Sequence, residues 1–171
     1  MTGRPPWPAQ RPPEVEVRRA DLADAGLVGG LTERVYRQGG WTDEGYSKLL
    51  LDGRSRIKEA IVLVATAAGA VIGTVTVARP DSRFANVARA GEAEVRMLAV
   101  DEAARGRGVA MLLMDAGEAL ARNEGFAAVV LSTEPDMYAA HRLYRCRGYV
   151  RQPGRDWQAG RIRLMVFRLR L

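Results

Sequence analysis

One cysteine, one histidine and almost no lysine narrow the chemistry open to this chain of 171 residues. Cys146 stands alone, so no internal disulfide can form, and His141 leaves too few soft ligands for a structural zinc site. No metal is therefore expected. Reaction chemistry has to come from carboxylates, hydroxyls, backbone amides or a bound cofactor. No apolar run approaches the roughly 20 residues needed to span a bilayer. The opening MTGRPPWPAQRPP has no apolar stretch of the kind a secretory leader carries, so a cytoplasmic location is expected. Lys48 and Lys58 are the lysines, which leaves the formal charge of +6 to arginine. Those arginines are scattered and form no basic stripe interleaved with aromatics. That pattern reads as a solvated surface and argues against a nucleic-acid partner, although a polyanionic ligand would also welcome it.

What is present reads as one domain. Hydrophobic residues at 47% and charged residues at 27% are ordinary for a globular protein. Pro5, Pro6, Pro8 and Pro12 mark residues 1–13 as a flexible tail, and residues 14–171 as the folded domain. Alternation over 14–18 predicts a strand. Asp21 and Asp24 have the spacing of a capping box ahead of a helix over 22–37, which Gly39 and Gly40 stop. Thr42 is expected to cap a short helix ending near Leu51, before an Asp52–Gly53 turn. Residues 61–66 and 71–77 read as a hairpin, 78–91 as a loop and 94–100 as a strand. A helix to Asn123 follows, then an apolar strand over 127–131 and a helix from Asp136 through Arg145. Strands at 149–152 and 162–171, around a loop over 153–160, close the chain. The order β α α β β β α β α β β describes a single mixed, mostly antiparallel α/β sheet flanked by helices.

The densest information lies between Glu94 and Asn123. A strand feeds Arg105-Gly106-Arg107-Gly108-Val109-Ala110, whose glycines allow close backbone approach, and this turn becomes the first turn of a helix. The first amides of a helix lack intrahelical partners and sit at the positive end of its dipole, so phosphate is their natural ligand. No Gly-Lys-Ser/Thr follows, which excludes a Walker A loop. Met111 stands where a Rossmann fingerprint needs a third small residue. A tight turn that binds nothing stays open on these residues alone.

Arg105-x-x-Gly108-x-Ala110 resembles the pyrophosphate signature of the GNAT superfamily of N-acetyltransferases, and it follows the strand ending at Val100 at that family's distance. Ala93 to Val100 resembles the family's fourth strand. Ala140-His141-Arg142-Leu143-Tyr144-Arg145-Cys146-Arg147-Gly148-Tyr149 resembles its Ala-x-x-x-Tyr-x-x-x-Gly-Phe/Tyr helix. The likeness covers 14–171 and implies the acyl-CoA N-acyltransferase fold, with acetyl-CoA as cosubstrate. It implies direct acetyl transfer in a ternary complex to a primary amine, without an acyl-enzyme. Pantetheine is then expected along Leu98, Ala99 and Val100. The pyrophosphate belongs on Arg105, Gly106, Arg107, Gly108, Val109, Ala110 and Met111. Tyr144 matches the tyrosine that protonates the departing thiolate. Glu94 holds the position of a general base acting through water, and a Glu94–Arg96 ion pair is the competing reading. Met137 stands where many members have an asparagine that holds pantetheine.

The acceptor pocket implied by the resemblance includes Tyr36, Trp41, Tyr46, Arg96 and Trp157, with Asp156 able to attract a cationic amine. His141 is expected in a surface or capping role, and Cys146 as a small packing residue. Two other functions remain open: a non-catalytic acyl-CoA-binding sensor or scaffold, and an acetyltransferase for an amine linked to nucleic acid, such as aminoacyl-tRNA. No membrane partner is expected, and a homodimer is compatible with either reading.

Overall fold

The computed structural model describes residues 14–171. The proline-rich tail expected at 1–13 lies outside them. Strand β1 (Glu16–Arg19) leads into a single 3-10 turn over Leu22–Asp24 and then helix α1 (Ala25–Gly39). The Asp21–Asp24 capping box forms as its spacing predicts, around the 3-10 turn. Helices α2 (Glu44–Leu51) and α3 (Gly53–Glu59) follow, then strands β2 (Ile61–Ala67), β3 (Ala70–Ala78) and β4 (Glu92–Val100). Helix α4 (Val109–Asn123), strand β5 (Ala128–Thr133), helix α5 (Tyr138–Cys146) and strands β6 (Val150–Arg151), β7 (Trp157–Ala159) and β8 (Ile162–Arg170) complete the chain. No helix of the described residues is long and apolar enough to cross a membrane.

The strands run in the order β1-β2-β3-β4-β5-β8-β6, with β7 folded back onto the outer half of β8. All neighbours are antiparallel except β4 and β5. This is the mixed, mostly antiparallel sheet expected. Period-2 alternation divides its side chains between two cores. Leu63 and Ala65 of β2 join Val75, Val77 and Val129 against Val109, Leu113 and Met114 of α4. Val62 and Val64 point the other way and pack with Val28 of α1. Tyr144 of α5 joins the α4 side together with Tyr149 and Phe167.

Four local expectations need correction. The turn expected at Asp52–Gly53 is the start of α3: Asp52 Oδ1 accepts the Ser55 amide at 3.0 Å and so caps a helix. The cap of α2 is Asp43, not Thr42, and its Oδ1 accepts from the Tyr46 amide at 2.8 Å. Helix α5 starts at Tyr138 after Met137, with no side-chain cap, so Asp136 does not open it. The loop expected over 153–160 contains β7, a short strand hidden among turn-forming residues.

Candidate active site

Strand β4 decides the geometry. Its first residues pair on both sides: Glu94 faces Ala78 of β3 and Val130 of β5. Pairing with β5 stops there, and beyond Glu94 the two strands part. On the β3 side, Thr76 pairs with Arg96 while Thr74 pairs with Ala99, so β4 carries an extra residue across this step. This β-bulge holds Met97 at φ +53°. An extra residue reverses the alternation of side chains. Before it, Ala93 and Val95 face α4; after it, Leu98 and Val100 do. Met97 and Ala99 turn to the α1 side instead.

A buried arginine sits beneath the bulge. Arg56 of α3 has no exposed surface, and its Nη1 donates to Met97 Sδ at 2.7 Å. Its Nη2 donates to Thr32 Oγ1 at 3.0 Å and to the Val28 carbonyl at 3.2 Å. Burial draws its guanidinium down to about 10, which leaves it charged near neutrality.

Two cavities open where β4 and β5 part. The larger, about 420 Å³, is lined by Tyr36 of α1 and Trp41 just after it, Tyr46 and Leu49 of α2, Arg96, Glu134, Met137 and the β7–β8 hairpin with Trp157, Ile162 and Leu164. The smaller, about 270 Å³, lies between Leu98 and the start of α5 and reaches Tyr144. Tyr36, Trp41 and Met137 line both, so these three side chains form a shared wall. Trp41 reaches that wall because Gly39 is beneath it: a Cβ there would lie 2.3 Å from the indole. Tyr36 meets Trp41 and Tyr46 edge-on, with centroids 6.3 and 6.1 Å apart. Burial pushes the Tyr36 phenol up.

The glycine-rich turn lies at the far end of the open half of β4. Gly106 (φ +72°) and Gly108 (φ +78°) both occupy the left-handed region that favours glycine. The bond closing the first turn of α4 runs from the Leu112 amide to the Gly108 carbonyl at 3.1 Å. Amides ahead of it are directed past the end of a 15-residue helix. Arg105 and Arg107 flank the turn, exposed.

The family model described as "Acetyltransferase (GNAT) family" matches residues 31–149, most of the chain. The chain belongs to the GNAT acetyltransferase family. Solved structures agree with this fold. Ard1 from Thermoplasma volcanium is 25% identical, with 92% of this chain and 97% of that one covered and a TM-score of 0.68. The Salmonella typhimurium protein yncA, solved with its cofactor acetyl-CoA, is 20% identical over 92% and 94%, with a TM-score of 0.68. The paia N-acetyltransferase of Thermoplasma acidophilum, in complex with coenzyme A, is 14% identical over 90% and 98%, with a TM-score of 0.70. Among curated proteins no sequence matches the chain.

Within this GNAT frame, Tyr36, Trp41, Tyr46, Arg96 and Trp157 all line the larger cavity, and Leu98 and Tyr144 line the smaller one. Tyr144 is 7% exposed, packed between Tyr149 and Phe167 with centroids 5.7 and 6.2 Å away. Burial raises its phenol, so it stays protonated at neutral pH. Ala99 is buried on the α1 side, and Val100 and the turn from Arg105 to Met111 lie beyond both cavities.

Other expected placements are corrected. Glu94, expected in the position of a general base, is fully buried and lines neither cavity. Its Oε2 accepts the amides of Asn86, Val87 and Ala88 at 2.8, 2.7 and 2.9 Å, so the carboxylate gathers the β3–β4 loop. The Glu94–Arg96 approach is present but loose, with Arg96 Nε 3.9 Å from Oε1. Asp156 does not reach the cavity, because Arg151 holds both its oxygens at 2.6 and 2.5 Å, and Arg163 and the Val166 amide add further bonds. His141 is buried, not at the surface. Its Nε2 bonds the Glu134 carbonyl at 2.9 Å and its ring centroid lies 5.6 Å from that of Phe167. Cys146 is exposed and packs nothing away from solvent.

Sequence reasoning missed Arg56, Met97, Glu134 and Glu92. A signal existed for one of them: Glu92 and Glu94, two apart on a strand, must share a face. Glu92 accepts from Arg155 at 3.0 and 2.8 Å, Arg168 at 2.8 Å and the Arg89 amide at 3.1 Å. Burial alone would raise its carboxyl, yet the hydrogen bonds from Arg155 and Arg168 draw it down to about 2.

Proposed function

We propose that this chain moves the acetyl group of acetyl-CoA to a primary amine by direct transfer, with both substrates bound at once. The observation that carries the reading is the pair of cavities with one wall. Leu98 and Tyr144 stand on one side, an aromatic pocket on the other, and β4 opens between them. A ternary complex needs two binding sites that meet at a point, and no covalent stop between them.

The turn fits a coenzyme A pyrophosphate. Nothing lies within 4 Å of a Cβ built on Gly106 or Gly108, so the backbone there is open to a ligand, and α4 directs its free amides at the same place. Arg105 through Met111 would hold the phosphates, and Leu98, Ala99 and Val100 would lie along the pantetheine. The bound thioester supplies an acyl group already activated for attack by nitrogen. In this reading Tyr144 Oη gives its proton to the departing sulfur, and its raised pKa keeps that proton in place until negative charge develops. The proton shed by the new amide nitrogen restores the phenol. Glu94 acts through what it holds, namely the 86–88 loop and, more loosely, Arg96.

Thiol release from acetyl-CoA across a panel of amines, amino acids and peptides tests the reading. Wild type should turn over at least one acceptor. Tyr144→Phe should lower kcat by on the order of 100-fold with the melting temperature held. Binding of acetyl-CoA without thiol release for any acceptor would favour a sensor or scaffold instead.

A further inference from the structure

The larger cavity carries an asymmetry of charge. Arg96, Asp43 and Glu134 are the charged side chains that reach it. Arg96 is engaged, with its Nη1 donating to the Phe84 carbonyl at 2.7 Å and Glu94 behind it. Asp43 is exposed at the start of α2, where its Oδ1 caps the Tyr46 amide. Glu134 differs from both. It directly follows β5, is half-buried, and has its own carbonyl fixed by His141, while its carboxylate makes no hydrogen bond or ion pair with any described residue. Burial first, and Asp136 second, push that carboxyl up. A half-buried carboxylate with no partner among the described residues, on a residue that lines an aromatic chamber, calls for a cation.

The rest of the lining selects what carries the cation. Trp41, Tyr46, Leu49, Trp157, Ile162 and Leu164 offer apolar surface, and about 420 Å³ is the scale of a small molecule. A polyamine would bring a second ammonium with only the already engaged, rim-standing Asp43 to meet it. A peptide would bring backbone amides against a mostly apolar wall. Resting on the acetyltransferase reading above, we propose that the acceptor is a small hydrophobic monoamine. It binds as an ammonium paired with the Glu134 carboxylate, gives up one proton through that carboxylate to solvent and attacks as the neutral amine, while its apolar body lies against Trp41, Tyr46 and Trp157.

The test compares phenethylamine and isoamylamine with spermidine and an alanine-terminated peptide, using thiol release and titration of the intrinsic tryptophan fluorescence. The hydrophobic monoamines should have kcat/KM at least tenfold above the other two. Glu134→Gln should raise the KM for phenethylamine at least tenfold, with the KM for acetyl-CoA unmoved, and Glu134→Asp should recover part of the loss. Preference for spermidine or the peptide overturns the acceptor class and leaves acetyl transfer standing. So does an unchanged KM in Glu134→Gln. If no acceptor releases thiol, acetyl transfer fails, and the fluorescence titration still decides. Saturable quenching by phenethylamine that Glu134→Gln abolishes supports the pocket, and its absence overturns it.

Discussion

The two halves of β4 are built on opposite terms. From Glu92 to Glu94 the strand is paired on both sides; both Glu92 oxygens and Oε2 of Glu94 accept hydrogen bonds, while Glu94 Oε1 is buried without one. From Arg96 to Val100 it is paired on one side only, interrupted by a bulge, and fronts two cavities. Glu92 ties β4 to β8 and to the turn before β7 through Arg168 and Arg155. Glu94 ties it to the preceding loop. The closed half thus fixes where the open half stands, and the opening needs that anchor. A strand that left its partner without such clamps would lose the sheet as well.

The largest expected effect comes from breaking the closed half. Glu92→Ala leaves the nearly buried Arg155 without its carboxylate and should cost about 3–5 kcal/mol of unfolding free energy, read from denaturant midpoints. Acid should produce a milder version. A carboxyl held at about 2 that returns to about 4.5 on unfolding stabilises the fold above the higher value. That contribution, up to about 3 kcal/mol, is lost as pH falls from about 4.5 to about 2. Melting temperatures across that range should fall steeply in wild type and less in Glu92→Gln.

Glu94→Gln sharpens the comparison. As an anchor, Glu94 should show a stability loss of about 1–3 kcal/mol and a kcat within tenfold of wild type. A kcat loss of 100-fold, with the acidic limb of the pH profile gone, would instead make Glu94 the base. The smallest effect belongs to the turn beyond the open half. Gly108→Ala places a Cβ at φ +78° and should cost about 1 kcal/mol. The same variant should shrink the rise in melting temperature that acetyl-CoA produces.

Much of this was legible in the sequence, because β-branched runs, capping spacings and paired glycines each carry their own period or position. The order of strands and helices along the chain and the glycine turn ahead of α4 follow from such local marks, whereas the grouping of Tyr36, Trp41, Arg96 and Trp157 was implied by the resemblance to the GNAT superfamily. What escaped was set by contacts distant in the chain. Helix α3 begins with Asp-Gly, a pair that also makes turns, so its cap looked like a corner. Arg56 reaches Met97 across 41 positions, and no local pattern announces a buried guanidinium beneath a bulge. Glu94 was read as a base from the family resemblance, while its hydrogen bonds depend on where the loop of 86–88 folds. Asp156 likewise looked free because Arg151, Arg163 and the Val166 amide meet it only in the folded sheet.

Met137 has a consequence for redesign. It faces both cavities, and the Thr133 hydroxyl donates to its sulfur at 3.2 Å, which settles where the side chain stands. Under the proposed chemistry, one thioether then limits both the length of the acyl chain on the donor and the girth of the acceptor. Trimming it to widen one would widen the other, so the two selectivities of this enzyme are a single adjustable variable.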